Sequence, residues 1–212
     1  MARLFTFTFV LVALASVPAD AQRAGTTVGV RGFATLGAIN FEADESFDAI
    51  LDRHAGPIFG GGAQVLLPRD IFVEVAASRF GQKGERAFVT AEGDVFRLGI
   101  PINVTITPIE ITGGWRFRKW PGFVPYGGAG YSSYGYRETS DSNDADEDVD
   151  ERFGGFHLIG GAEFQPRPWI AIGGEFVWAS VPDALGNGGA SAAFNEDNLG
   201  GRTLRVKISI GQ

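Results

Sequence analysis

The chain contains no cysteine, one methionine and only two histidines, His54 and His157. A disulfide scaffold, a thiolate metal centre and a cysteine nucleophile are therefore excluded. There is no surplus of positive charge either: 18 Lys and Arg against 25 Asp and Glu give a formal charge of −7, the wrong sign for a nucleic-acid partner. Beyond residue 16 no apolar run approaches the roughly 20 residues that a membrane-spanning helix requires. What the chain does have is glycine, 31 residues together with 10 prolines. Inside helices these residues cost about 1 and about 3 kcal/mol each, so the composition disfavours a helical protein. With 44% apolar, 20% charged and 12% aromatic residues, the 212-residue chain is an ordered one of about single-domain size.

The N-terminal segment reads as an export signal. Arg3 supplies a positive start, residues 4–16 form an apolar run broken by Thr6 and Thr8, and Pro18 precedes Ala19-Asp20-Ala21. Cleavage after Ala21 leaves residues 22–212 as one domain.

From there on the dominant signal is alternation with period two, the mark of strands with two unlike faces. In residues 203–210, Leu204, Val206, Ile208 and Ile210 share one face, and Thr203, Arg205, Lys207 and Ser209 the other. Ile170, Ile172, Phe176 and Trp178 oppose Glu175. Phe156, Leu158, Ala162 and Phe164 oppose His157 and Glu163. Val73 and Val75 oppose Glu74, Phe59 and Val65 oppose Gln64, and Val28 and Val30 oppose Arg31. Residues 103–117 need a phase change to keep their apolar side chains on one face: Val104 and Ile106 before Pro108, Ile109, Ile111, Trp115 and Phe117 after it, with Glu110 and Arg116 polar. A bulge at Pro108 supplies that change, because proline within sheets is confined to edges and bulges. Residues 126–137 alternate least well, and Phe33 and Phe72 fall in the polar phase.

Eight strands result. Short connections (68–70, 118–123, 165–168) alternate strictly with long ones (39–56, 81–102, 138–152, 180–202). That layout is an antiparallel up-and-down meander with tight turns at one end, and eight strands close into a barrel.

Alternation fits either a soluble lipocalin-like barrel with an apolar interior or a membrane barrel with an apolar exterior. Three features favour the membrane. The polar face holds Arg31, Gln64, Glu74, Glu110, Arg116, Arg137, His157, Glu163, Glu175, Arg205 and Lys207, charges of both signs able to pair across a narrow lumen. The apolar face carries no charge in mid-strand, where Arg or Lys costs about 2–4 kcal/mol; Arg79 and Glu138 lie in the apolar phase but at strand ends. Aromatic residues gather near the strand ends, as two interfacial belts require: Trp115, Phe117, Trp120, Tyr126, Phe164 and Trp169 beside the short turns, and Tyr134, Tyr136 and Trp178 toward the long loops.

In this layout, over residues 26–210, the chain resembles the small outer-membrane β-barrel proteins, the OmpA-, OmpX- and OmpW-like group. The resemblance implies an all-β, eight-stranded transmembrane barrel in the outer membrane of a Gram-negative-type cell. Short turns and both termini then face the periplasm and the long loops face outward. Such barrels usually end in an aromatic residue, whereas this chain ends Ile208-Ser209-Ile210-Gly211-Gln212. The resemblance to OmpW-like proteins adds passage of small hydrophobic molecules as an alternative to a structural or surface-interaction role.

The loops offer little chemistry. Ser46 precedes Phe47, Ile50, Leu51 and His54 at helical spacing, which predicts a short helix capped by Ser46 and packed on the barrel rim. The segments flanking Glu92-Gly93-Asp94 predict a hairpin extending beyond the membrane. Seven acids crowd residues 141–151. Of these, Asp141, Asp144, Asp146, Asp148 and Asp150 are an oxygen-rich candidate for Ca²⁺ or Mg²⁺, but the stretch lacks the mid-loop glycine of an EF-hand, and like-charge runs are usually solvated. Residues 182–201, rich in Gly, Ala and Asn, read as flexible. No Ser lies two residues from His157, His54 has no evident partner, and neither a nucleophile elbow nor a P-loop is present. The expectation is a non-enzymatic monomer without cofactor, in contact with outer-membrane lipid and open to an extracellular partner through its long loops.

Overall fold

A computed structural model describes residues 28–90, 94–140, 149–186 and 189–212; the proposed signal segment and the acidic residues 141–148 lie outside them. The alternating segments form eight strands: β1 (Gly29–Phe41), β2 (Ala55–Leu66), β3 (Ile71–Val89), β4 (Val95–Arg116), β5 (Phe123–Ser140), β6 (Val149–Arg167), β7 (Ile170–Ser180) and β8 (Gly201–Gly211). Helix α1 (Asp44–Leu51) lies between β1 and β2, and α2 (Gly189–Phe194) between β7 and β8. Every strand pairs with its sequence neighbour and β8 pairs back onto β1, so the sheet closes and presents no edge.

The closure is staggered. Hydrogen-bonded partners followed from Val30 through Val65, Val73, Gly113, Ala129, Leu158, Trp178 and Arg202 return to β1 at Asn40, ten residues further along. Such a stagger obliges the strands to tilt and leaves an interior that side chains can fill. Tight turns join β2 to β3, β4 to β5 and β6 to β7. In the first of these, Arg69 and Asp70 adopt positive φ (65° and 63°) and the Leu67 amide donates to the Ile71 carbonyl at 2.8 Å. At the other end β3 and β4 continue as a hairpin paired as far as Val89 and Val95, on either side of the expected Glu92-Gly93-Asp94 turn.

The bulge expected at Pro108 is absent. β4 pairs with β5 in one unbroken register from Ile102 to Arg116, and the ladder to β3 keeps the same offset on both sides of Pro108, losing only the rungs opposite Ser78 and Arg79. From Ile102 to Arg116 the even-numbered residues of β4 point inward, so Val104 and Ile106 lie inside the barrel with Glu110, Thr112 and Arg116. The change occurs in the surroundings. Below Pro108 β4 turns Glu110, Thr112 and Arg116 inward and Ile109, Ile111 and Trp115 outward; above it Ile106, Val104 and Ile102 face inward, and Thr107, Thr105 and Asn103 occupy the outer face.

Bulky lumen side chains are accommodated by glycine. A Cβ at Gly114 would stand 2.5 Å from the Phe72 ring, and one at Gly161 would stand 2.7 Å from the Tyr126 hydroxyl. Large and small residues therefore face each other across adjoining strands, as a narrow barrel demands.

Candidate functional site: a filled lumen beneath a folded head

The outer wall is a continuous apolar surface. Val30, Leu36, Phe59, Val75, Ile111, Leu158, Phe176, Leu204, Val206 and Ile208 are all exposed. Trp115, Phe117, Trp120, Phe164 and Trp169 are exposed toward the short-turn end. Near the other end Trp178 stands edge-on to Phe156, ring centroids 5.5 Å apart. A soluble lipocalin-like barrel has the opposite arrangement.

Three residues expected in those belts lie elsewhere. Tyr126 and Tyr134 are buried in the lumen, and Tyr136 packs inward against the upper core, because all three share the inward parity of β5; the exposed tyrosine of that strand is Tyr131.

Inside, cations and carboxylates meet in two tiers. Near the short-turn end Glu163 accepts from Arg116 Nη2 at 2.7 Å, Arg31 Nη1 at 3.2 Å and Gln165 Nε2 at 3.3 Å. The middle tier is built around Glu175, which accepts from Arg205 Nε at 2.5 Å and Tyr126 Oη at 2.9 Å, with Lys207 Nζ at 3.4 Å. Arg205 Nη1 also donates to Glu110 at 2.9 Å, Lys207 binds Glu74, and Gln64 Nε2 donates to Glu74 at 2.9 Å. Lys207 lies 4.2 Å from the centroid of the Phe33 ring, which explains an aromatic residue in the polar phase. The lumen thus brings together Arg31, Gln64, Glu74, Glu110, Arg116, Glu163, Glu175, Arg205 and Lys207, all buried. Among the described residues four buried cations face four buried carboxylates, so their formal charges balance.

Arg137 does not belong to this set. It occupies the outward face of β5, exposed, and binds Asp150 of β6. Alternation alone predicts it inside, because it has the parity opposite to Tyr126, Tyr134 and Tyr136, whose expected place is the outer belts; those tyrosines face inward, and Arg137 therefore faces out. The same pair engages Asp150, one of the five candidate cation ligands; Asp141, Asp144, Asp146 and Asp148 fall outside the described residues.

His157 sits above the ion network, fully buried between Ser132 Oγ (2.7 Å from Nδ1) and Thr112 Oγ1 (2.8 Å from Nε2). The register that sets Gly130 opposite His157 and Ser132 opposite Gly155 creates this contact, which spacing along the chain does not reveal. Ser132 and His157 resemble a nucleophile and its base, but both are sealed from solvent, and no carboxylate hydrogen-bonds the ring among the described residues. As built, the contact orients the imidazole.

Over this polar middle lies an apolar plug. Ile39, Phe41, Phe80, Ile102, Val104, Ile106, Tyr134 and Leu199 form one buried cluster. Helix α1 seals it: Phe47 stacks on Phe41 with centroids 4.5 Å apart, and Leu51 is buried beside it. The helix begins after Ala43, so Ser46 is not its cap. Its first turn is held from the β7–β8 loop, where Glu196 accepts from the Glu45 amide at 3.1 Å, the Ser46 amide at 2.9 Å and the Ser46 hydroxyl. Asn198 clasps the same loop, donating to Glu42 at 2.8 Å and accepting from the Val181 amide at 2.7 Å. The described residues of the β7–β8 loop, expected to be flexible, are therefore tied down by Glu196 and Asn198 and by buried Val181, Ala184, Ala190 and Leu199. On α1's far side Asp48 pairs with His54, and Asp52 pairs with Arg97 of the β3–β4 hairpin. That guanidinium holds the exposed Asp52 carboxyl below its ordinary range. Between α1, this hairpin and the β7–β8 loop lies a cleft of about 460 Å³, lined by Phe47, Ile50, Leu51, Phe88, Leu98 and Leu185, with Glu138 and Glu151 also bordering it.

An apolar wall of tilted strands, a paired-ion lumen and loops gathered at one end define an eight-stranded outer-membrane barrel. The chain belongs to the outer membrane protein β-barrel domain family, whose model matches residues 7–207. Among solved structures it is similar to OprG of Pseudomonas aeruginosa (15% identity, 91% of this chain and 99% of that one, TM-score 0.56). It is likewise similar to Neisserial surface protein A (12% identity, 89% and 99%, TM-score 0.51). A major outer membrane protein of Thermus thermophilus shares the fold at 10% identity (86% and 99%, TM-score 0.50). No curated protein sequence matches the chain. At these identities the structural likeness speaks for the fold alone, and the family places the protein in the bacterial outer membrane.

Proposed function

We propose that this protein is a monomeric, non-enzymatic surface barrel, exported by its N-terminal signal, whose working part is the folded extracellular head and whose lumen serves as a closed pedestal. The observation that carries this reading is the filling of the lumen: two tiers of ion pairs, then an apolar plug, then α1 latched by Glu196. Ions crossing such a barrel must displace charged side chains that are buried and mutually paired. The test is conductance of the purified full chain in a planar bilayer: the reading expects no persistent openings, and steady channels contradict it.

The apolar cleft favours a second reading, capture of small hydrophobic molecules, because its volume falls within the range of small-molecule sites. Saturable retention of an apolar fluorophore by the protein, abolished by Leu98→Glu, distinguishes this reading from a head that only contacts macromolecules.

A further inference from the structure

The outer wall carries a second pattern just above its apolar band. On β3, β5, β6 and β8 the first outward-facing charge above the apolar band, on the side of the long loops, is an arginine: Arg79, Arg137, Arg152 and Arg202 respectively. No outward carboxylate precedes them on those strands, although the chain as a whole has a charge of −7. Arg137 is neutralised by Asp150, whereas Arg79, Arg152 and Arg202 are exposed and have no hydrogen-bond or ion-pair partner among the described residues. Their neighbours fix their height. Arg79 is paired in register with Phe59, and Arg202 with Trp178, both residues of the upper end of the apolar wall. Arg152 lies opposite Gly135, where its guanidinium carbon comes within 3.9 Å of the position a Cβ would occupy.

We propose that Arg79, Arg152 and Arg202 form a cationic collar that binds the phosphate groups of lipids in the outer leaflet. A guanidinium fork matches phosphate oxygens in a bidentate manner. The three-carbon stem can lie along the apolar wall while the head reaches the interface. Carboxylates at this height would meet the same anionic headgroups with repulsion, which accounts for their exclusion from the first outward position. The inference depends on the barrel's seat in the membrane and is independent of what the extracellular head binds.

The test uses the full chain in phosphatidylcholine nanodiscs doped with a diphosphorylated glycolipid (lipid A), or with the same glycolipid after removal of its phosphates. Retained glycolipid is counted by native mass spectrometry. Wild-type protein is expected to retain the phosphorylated form selectively. Each arginine near an anionic surface contributes about fivefold, so R79Q/R152Q/R202Q is expected to lose roughly 100-fold of that preference. Arg167→Gln, at the opposite end, is expected to leave the preference unchanged. Equal retention of both glycolipids by wild type overturns the proposal without recourse to any variant. Undiminished preference in the triple variant also overturns it, as does competition by inorganic phosphate at concentrations comparable to the lipid, which would make the collar a site for the free anion.

Discussion

Arg205 is the cation whose loss the lumen can least absorb. Its side chain is 3% exposed and bridges Glu110 and Glu175. Replacement by methionine preserves much of the volume and removes the charge. Glu175 then retains Lys207 and the Tyr126 hydroxyl, but Glu110 loses its only ion-pair partner among the described residues. Breaking a buried pair by deleting one member costs about 3–5 kcal/mol, because a desolvated charge is stranded. Arg205→Met is therefore expected to destabilise the barrel by about that amount. Glu110→Gln introduced on top is expected to restore roughly half, since it removes the stranded carboxylate. Urea titration of protein folded into phosphatidylcholine vesicles, followed by tryptophan fluorescence and by gel mobility of the folded form, measures both. If Arg205→Met lies within about 1 kcal/mol of wild type, or if Glu110→Gln adds its own cost and returns nothing, the paired-lumen reasoning is refuted.

Further expectations concern the head. Glu196→Ala removes the acceptor for the first-turn amides of α1 and is expected to cost the helix about 0.5–2 kcal/mol, in line with the loss of an N-cap. Amide exchange in residues 46–51 should then accelerate while exchange in the strands is unchanged; equal protection with and without Glu196 contradicts the latch. The Asp52–Arg97 tether has a defined pH sense. A carboxyl held below its ordinary value of 3.8 stays ionised on moderate acidification, so the tether persists above that value and loosens only as pH falls through the depressed one. Exchange at residues 52–56, corrected for the intrinsic rate, is accordingly expected to be flat from neutral pH to about 4.5, and a rise near pH 6 would argue against the pairing.

Much of this fold could be read from the chain because a barrel writes its two environments into alternate residues. The strand count and the order of short and long connections follow from the whole chain, and most of the ion network from β8, β7 and the lower half of β4: Lys207, Arg205 and Glu110 each sit between outward apolar neighbours, and Glu175 between Gly174 and Phe176. The misplacement of Val104, Ile106, Tyr134, Tyr136 and Arg137 has one cause, a single polarity rule applied along whole strands. Lipid surrounds only part of each strand; above it water bathes the outside and a plug fills the inside, so polarity reverses while parity does not. Val104, Ile106, Tyr134 and Arg137 all lie beyond that boundary, and the apparent phase change at Pro108 marks it. Phe33, Phe72 and Tyr126 are a second exception: Phe33 and Tyr126 pack within the lumen against Lys207, Phe72 stands edge-on to Tyr126, and all three face glycines. Contacts such as Glu196 with Ser46, or His157 with Ser132, join residues far apart in sequence through barrel closure and register, and no local pattern announces them.

The reversal of polarity along β4 is open to one direct measurement. The natural chain has no cysteine, so single cysteines at 104, 105, 110 and 111 can each carry a nitroxide in lipid bilayers, with relaxation by oxygen and by a water-soluble nickel complex compared. The account predicts that 111 is reached by oxygen, 105 by nickel, and 104 and 110 by neither. Oxygen access at 104 with protection at 105 would restore the Pro108 bulge and contradict it.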